Sequence, residues 1–286
     1  MGFDVAKKGY KNRMNRPGLR LGDFGAEQRA PYSFTGDPAA SLVATAIHAG
    51  HDIRPEVSSL LALEDAVRLR EEDPFTDRIA ACADSRVLVF RSRFEVDLNR
   101  GRDDAVYRTP DDCWGLDLWR GELPQDLISR SLDIYDAFYA DLGSHLDLLS
   151  EVGPFVVFDM HSYNHRRQGA EGSEAPEATN PDVNVGTGWL DGRWSSVVDS
   201  FIEALGGVDV GGDPLDVREN VRFEGANLSR WIHERYPMTG CALALEFKKT
   251  FMDELTGAVD VEHLDALISA LRATIPPVLD ALRRAA

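Results

Sequence analysis

The sequence predicts an α/β protein: a single three-layer domain with a mostly parallel mixed central sheet. Three observations carry that expectation. Short apolar runs recur along the chain, longer segments with helical spacing separate them, and ionisable residues follow each run. Strands that are apolar on both faces belong to sheets covered by helices on both sides.

Taken in order, residues 1–40 are rich in Gly, Pro and charge and read as an irregular basic arm, leaving 41–286 for the α/β domain. Leu42–Ile47 is the first buried-strand candidate. Leu60, Leu63, Val67 and Leu69 give the stretch from Val57 to Glu72 a helical spacing. Val87–Phe90 is the second strand candidate. Pro124 suits the first position of a long helix with Ile128, Tyr135, Phe138, Leu142, Leu146 and Leu149 on one face. Gly153-Pro154 ends it, and Phe155–Phe158 is the third strand candidate. The polar stretch 164–190 reads as a long loop, which in a compact domain is more often functional than structural. Trp194, Val197, Val198, Phe201, Ile202 and Leu205 fit a helix closed by Gly206. Asn227 is placed to cap a helix that runs to Tyr236, and Ala242–Leu245 is the fourth strand candidate. The tail from Val261 to Ala286 is helical, with a break or kink expected at Pro276-Pro277.

Composition narrows the function classes. The chain has 286 residues, with 31 Lys+Arg against 48 Asp+Glu, a net charge of −17. Nucleic acid and anionic membrane surfaces are poor partners for such a chain, because both are bound by clustered Lys and Arg. The plain reading of the acidity is solubility. Cys82, Cys113 and Cys241 are odd in number and contain no CxxC, against a disulfide framework or a cysteine zinc site. Lys7, Lys8, Lys11, Arg13, Arg16 and Arg20 form a basic stretch without the apolar core of a secretory signal. No run reaches the ~18 apolar residues of a membrane span. A cytoplasmic location is expected.

The chemistry lies beyond the strands, where parallel α/β sheets bind ligands. The first strand runs into His48 and His51, the second into Arg91, Arg93, Asp97, Asn99 and Arg100, the third into Asp159, His161 and His165, and the fourth into Glu246, Lys248 and Lys249. Two short histidine segments with a carboxylate nearby suggest a metal site, and Asp73 and Asp77 are the candidate carboxylates. Glu246 closes an apolar run, where burial raises a carboxyl pKa toward the range of a general base; an ion pair with Lys248 or Arg100 is the alternative. Arg93–Arg100 alternates polar and apolar residues as a strand would. Its arginines, with Asn99, suit an anionic substrate. Arg91, Arg93 and Arg100 beside a dication predict a locally positive cleft. No dinucleotide fingerprint in strand–turn–helix context, phosphate-binding loop or serine nucleophile elbow is present.

His48-Ala49-Gly50, Asp73 ahead of Arg78-Ile79, Ser92–Arg100, Asp159-Met160-His161-Ser162 and Leu245-Glu246-Phe247 follow one another in an order that resembles the N-formylglutamate amidohydrolase family. These enzymes are relatives of the zinc carboxypeptidases and the succinylglutamate desuccinylases, and the resemblance spans residues 42–252. It implies a phosphorylase/hydrolase-like (zinc carboxypeptidase-like) fold with one Zn2+ per chain. By it His48, Asp73 and His161 are the metal ligands. Asn99 and Arg100 hold the substrate carboxylate, Arg93 polarises the scissile carbonyl, and Glu246 is the general base. The sequence departs from the zinc carboxypeptidases at His51, where they carry a glutamate, so His51 is either a ligand or a neighbour of one. The implied reaction is zinc-dependent hydrolysis of an N-formyl or N-acyl amide of an acidic amino acid, giving formate and glutamate in the namesake case. The partner is then a small anionic acyl amino acid, and loop 164–190 sets specificity. The alternatives are a metallo-carboxypeptidase, another N-acyl amino-acid deacylase, and a non-catalytic relative that binds carboxylates.

Overall fold

A computed structural model describes residues 30–169, 171–210 and 212–285. The basic stretch Lys7–Arg20 lies outside the described residues. The strands are β1 (Tyr32–Thr35), β2 (Leu42–Ala46), β3 (Ser85–Val89), β4 (Phe155–Tyr163), β5 (Val183–Gly186), β6 (Asp209–Val210), β7 (Asp213–Pro214), β8 (Val217–Glu219) and β9 (Gly240–Lys248). The helices are α1 (Pro55–Ser58), α2 (Asp65–Glu71), α3 (Thr76–Ile79), α4 (Gln125–Val152), α5 (Ser195–Gly206), α6 (Asn227–Arg235) and α7 (Val261–Ala285).

Seven strands form one sheet in the order β1-β3-β2-β4-β9-β5-β8, and β6 and β7 pair separately. The four central strands β3, β2, β4 and β9 are parallel, so their carboxyl ends share one edge. β1 on β3 and β5 on β9 are antiparallel. Side-chain alternation sorts the strands into two faces. Ala44, Val156, Phe158, Leu243 and Leu245 pack with Phe201 of α5 and Leu271 and Val278 of α7. Val43, Val87, Phe155, Val157 and Ala242 pack with Phe138 and Leu146 of α4 and Ile232 of α6. The result is the expected three-layer α/β architecture.

Several elements differ from the sequence reading. Tyr32–Thr35, assigned to the arm, forms β1 against β3. Val57–Glu72 is two short helices, because the chain between them bridges to Trp119 at Leu61. Arg93–Arg100 is a run of turns rather than a strand. It lies past the end of β3, where there is no ladder to join; Ser92 and Asp97 accept the amides of Phe94 and Asn99 instead. β5 sits inside the expected loop 164–190, where Asn184 accepts from the amides of Val221 and Arg222. α7 continues through Pro276-Pro277, held by buried Leu271, Thr274, Val278 and Ala281 on both sides of the prolines.

Candidate active site

The shared carboxyl edge gathers the ionisable groups. β2 leads directly into His48, and the β4–β9 register sets His161 opposite Glu246. Asp73 comes from the turn between α2 and α3. Its N–H donates to the His48 carbonyl at 3.0 Å, and Thr76 Oγ1 donates to the Asp73 carbonyl at 2.7 Å. Phe75, two residues on, is left-handed with φ 67°. A bulky residue there costs roughly 1–3 kcal/mol, so the surroundings hold this turn in place.

The rings of His48 and His161 lie 4.9 Å apart. Their Nδ1 atoms stand 3.3 and 3.1 Å from Asp73 Oδ2. The outer nitrogens face carboxylates: His48 Nε2 is 2.7 Å from Asp97 Oδ1, and His161 Nε2 is 3.1 Å from Asp159 Oδ2. Thr45 Oγ1 steadies Asp159 with a 2.7 Å hydrogen bond. Asp97, fully buried, also accepts from Arg93 Nη2 at 2.8 Å and from Tyr107.

This arrangement fits a divalent metal. One ligand atom each from His48, Asp73 and His161 falls within 4.8 Å of the others, and all three residues are buried. Nδ1 of His48 is a buried atom without a hydrogen bond. Asp97 accepts the outer N–H of His48, which fixes the tautomer that leaves Nδ1 free to ligate, and Asp159 stands at ion-pair distance from the outer nitrogen of His161. Two imidazoles and one carboxylate suit a borderline cation such as zinc.

The electrostatics agree. Burial alone would raise the Asp73 carboxyl, but His161 and His48 outweigh it and hold it below the carboxylate range. Burial opposes charge on His161, yet Asp159 and Asp73 raise its pKa well above normal. Three buried carboxylates thus converge on two imidazoles, and a dication would balance them, displacing protons as it binds. Glu246 is pushed up to about 7, first by burial and then by Asp73 and Asp159, against the pull of His161 and His48.

A cleft of about 280 Å³ opens over these groups. His48, Asp73, Arg93, Asn99, Arg100, His161 and Glu246, the residues singled out in the sequence, all line it. Arg93 is anchored to Asp97, its Nε 3.3 Å from the Tyr107 hydroxyl and its guanidinium 4.8 Å from the Trp114 ring. Arg100 lies over the Tyr107 ring and donates to the Asp112 carbonyl at 2.7 Å. Asn99 Oδ1 accepts the Leu228 amide at 2.9 Å, and its Nδ2 is 3.3 Å from His161 Nε2.

Other candidates lie elsewhere. His51 turns to Glu72 and away from the trio. Asp77 is exposed on α3. Arg91 pairs with Glu95 at 3.5 Å and does not line the cleft. Lys248 pairs with Asp182, so it does not neutralise Glu246. Of the three arginines expected to make the cleft positive, Arg93 and Arg100 line it, together with Arg167, Lys249, Glu71, Asp73, Asp97 and Glu246.

The roles of Asp97 and Asp159 as histidine partners were not readable, although both belong to the quoted motifs. Tyr107, Trp114, Asn164 and Arg167 also line or support the cleft without any local sequence signal.

A mixed, three-layer α/β fold with an acid–base and donor cluster at its carboxyl edge has the construction of a hydrolase. The chain belongs to the N-formylglutamate amidohydrolase family, whose sequence profile matches residues 40–252. Among solved structures, it resembles an N-formylglutamate amidohydrolase from Ralstonia eutropha JMP134, with 18% identity and a TM-score of 0.69 over 90% of this chain and 100% of that one. A gene product of Agrobacterium tumefaciens gives 15% identity and a TM-score of 0.65 over 89% of this chain and 97% of that one. At these identities both show the fold alone. No curated protein matches the sequence significantly. Among the described residues, no helix is long and apolar enough to cross a membrane.

Proposed function

We propose that the protein is a zinc-dependent amidohydrolase that removes the formyl, or another small acyl, group from the nitrogen of an acidic amino acid such as glutamate. The observation that carries this reading is the convergence of the His48–Asp73–His161 donor set with Glu246 in one cleft. His48, Asp73 and His161 would hold the metal, which when bound supplies a lowered water pKa and a polarised carbonyl.

The chain's own residues do the rest. Glu246 has no competing ion pair among the described residues and a pKa near 7, so it can take a proton from the attacking water. It then gives that proton to the departing amine. Arg93 has Nε and Nη2 committed to Tyr107 and Asp97. Its Nη1 makes no hydrogen bond among the described residues and serves the developing oxyanion, a donor worth about 3 kcal/mol in comparable sites. Arg100, one-third exposed at the rim, and the Asn99 amide receive the substrate carboxylate, where a planar guanidinium binds bidentately. Trp114 and Phe223 wall the opening.

The test is hydrolysis of N-formylglutamate by purified protein, before and after chelation, with metal content measured. The expected result is formate and glutamate, with activity lost on stripping and restored by about one zinc per chain. Full activity in metal-free protein overturns the proposal.

A further inference from the structure

We infer that Lys249 is a positioning residue: it clamps the Asp73 turn to the ends of β4 and β9, and through that turn sets the cation affinity of the His48–Asp73–His161 site. The first half stands on geometry alone; the second rests on the metal reading above.

Lys249 follows β9 directly, three residues after Glu246, and its side chain is 1% exposed. A buried ammonium ordinarily needs a carboxylate partner. Among the described residues none lies within salt-bridge distance of Lys249. Its Nζ donates instead to two backbone carbonyls, of Arg70 at 2.6 Å and Glu72 at 2.8 Å. These belong to the last turn of α2 and its C-cap, where a helix leaves carbonyls without partners and favours a positive charge. Glu72 immediately precedes Asp73.

The backbone of Lys249 makes the second connection. Its N–H donates to the Tyr163 carbonyl at the end of β4, 3.1 Å away. One residue therefore joins three of the four carriers of the site: the strand with Glu246, the strand with His161, and the turn with Asp73, whose N–H in turn donates to the His48 carbonyl. From the other side, the Glu72 carboxylate accepts from Ser92 and meets His51. Two residues beyond Asp73, Phe75 is left-handed, a conformation that persists only where the surroundings fix it.

Lys249 also lines the cleft, so a direct substrate contact is the competing role. The two roles differ in what they move. A positioning residue changes metal affinity and kcat, whereas a substrate contact changes KM and leaves metal affinity alone.

The experiment compares wild type, Lys249→Met and Lys249→Gln in the full chain, with Lys248→Met as a neighbour that faces Asp182 and not the turn. Hydrogen exchange of residues 70–76 in metal-free protein reads the clamp without any metal. Zinc affinity and the visible spectrum of the cobalt(II)-loaded protein read its consequence. Lys249→Met is expected to speed exchange in 70–76 by tenfold or more and weaken zinc 10–100-fold. It should also shift the cobalt spectrum and lower kcat with little change in KM. Lys249→Gln keeps an N–H donor and should recover part of each effect; it carries the comparison if the Met variant does not fold. Lys248→Met should match wild type. Unchanged exchange and zinc affinity in a folded Lys249 variant overturn the inference, as does a rise in KM alone. A wild type that binds no zinc overturns the proposed function and the affinity claim together, while the exchange comparison still decides the clamp.

Discussion

Strands β4 and β9 run side by side in one unbroken parallel register, from Phe155 opposite Gly240 to Tyr163 opposite Lys248. Their two halves are built differently. The first half of β4, Phe155–Phe158, is wholly apolar and buried; Phe158 meets Phe201 edge-on at 5.2 Å, and Phe155 meets Tyr236 at 5.4 Å. The second half is equally buried but carries Asp159, His161 and Ser162 opposite Glu246 and its neighbours. The backbone ladder is the same in both. What differs is that dispersion and desolvation hold one half, whereas the other tolerates charge only where each group finds a partner. Glu246 is the exception, a carboxyl kept where its ionised form is disfavoured. One pair of strands is thus held by apolar packing at one end and gathers ionisable groups at the other.

The sharpest way to break this contrast is Glu246→Gln. It keeps the shape of the polar half and removes the proposed base. Activity on N-formylglutamate is expected to fall by about 10²–10⁴-fold, with zinc content retained and thermal stability not reduced. Steady-state kinetics and a melting curve check both; a loss of folding would place Glu246 on the structural side.

Phe158→Ala is the mirror experiment in the apolar half. Truncating a fully buried phenylalanine should cost about 3–5 kcal/mol of unfolding free energy. Turnover per zinc-loaded molecule should stay near wild type. Denaturant titration and kinetics at low temperature measure the two separately; a large fall in kcat at full zinc occupancy would show that the halves are coupled.

These halves were not equally legible in the sequence. The apolar halves announced themselves as runs such as Phe155–Phe158 and Ala242–Leu245, because burial on both faces leaves only apolar residues. Such runs located the strands but stopped short of their ends. β4 and β9 continue through Asp159–Tyr163 and Glu246–Lys248, where composition looks like loop. His48, Asp73, His161 and Glu246 could be named from their order along the chain. The contacts of Asp97, Asp159 and Lys249 could not, since each depends on a partner that only the folded chain brings near. Arg93–Arg100 misled for a related reason: alternation predicts a strand only where a neighbouring strand is available to pair.

Acidity gives a third handle on the polar half. The Glu246 carboxyl titrates at about 7 in the folded protein against an ordinary 4.5. Between those values the folded chain keeps a proton that the unfolded chain has released. Stability of metal-free protein from this group is therefore full below pH ~4.5 and lost as pH rises through ~7, by roughly 3 kcal/mol at most. Glu246→Gln abolishes the loss. The stability difference between Gln variant and wild type, followed by denaturant titration across pH, should be near zero at pH 4 and favour the variant at pH 8. His145 titrates in the opposite sense, its pKa lowered to about 4 by burial, but it is common to both proteins and cancels. A flat difference would mean that the Glu246 carboxyl titrates at the same pH in the folded and the unfolded chain.

The smallest effect concerns a residue on neither strand. Asp97 lies in the turns after β3 and faces His48 Nε2 at 2.7 Å. As a carboxylate it accepts the outer N–H of His48, leaving Nδ1 with its lone pair. Asp97→Asn can present an amide N–H to the same nitrogen, which moves the ring proton to Nδ1, the atom that would ligate. Zinc should bind about 10–100-fold more weakly, with kcat at saturating zinc reduced less. Competition with a chromophoric chelator measures the affinity. Asp159→Asn, at ion-pair distance from His161 without a hydrogen bond to it, should give a smaller loss. If Asp97→Asn lowers stability yet leaves zinc affinity intact, Asp97 serves Arg93 and Tyr107 and not the histidine. His48 would then keep its orientation without Asp97.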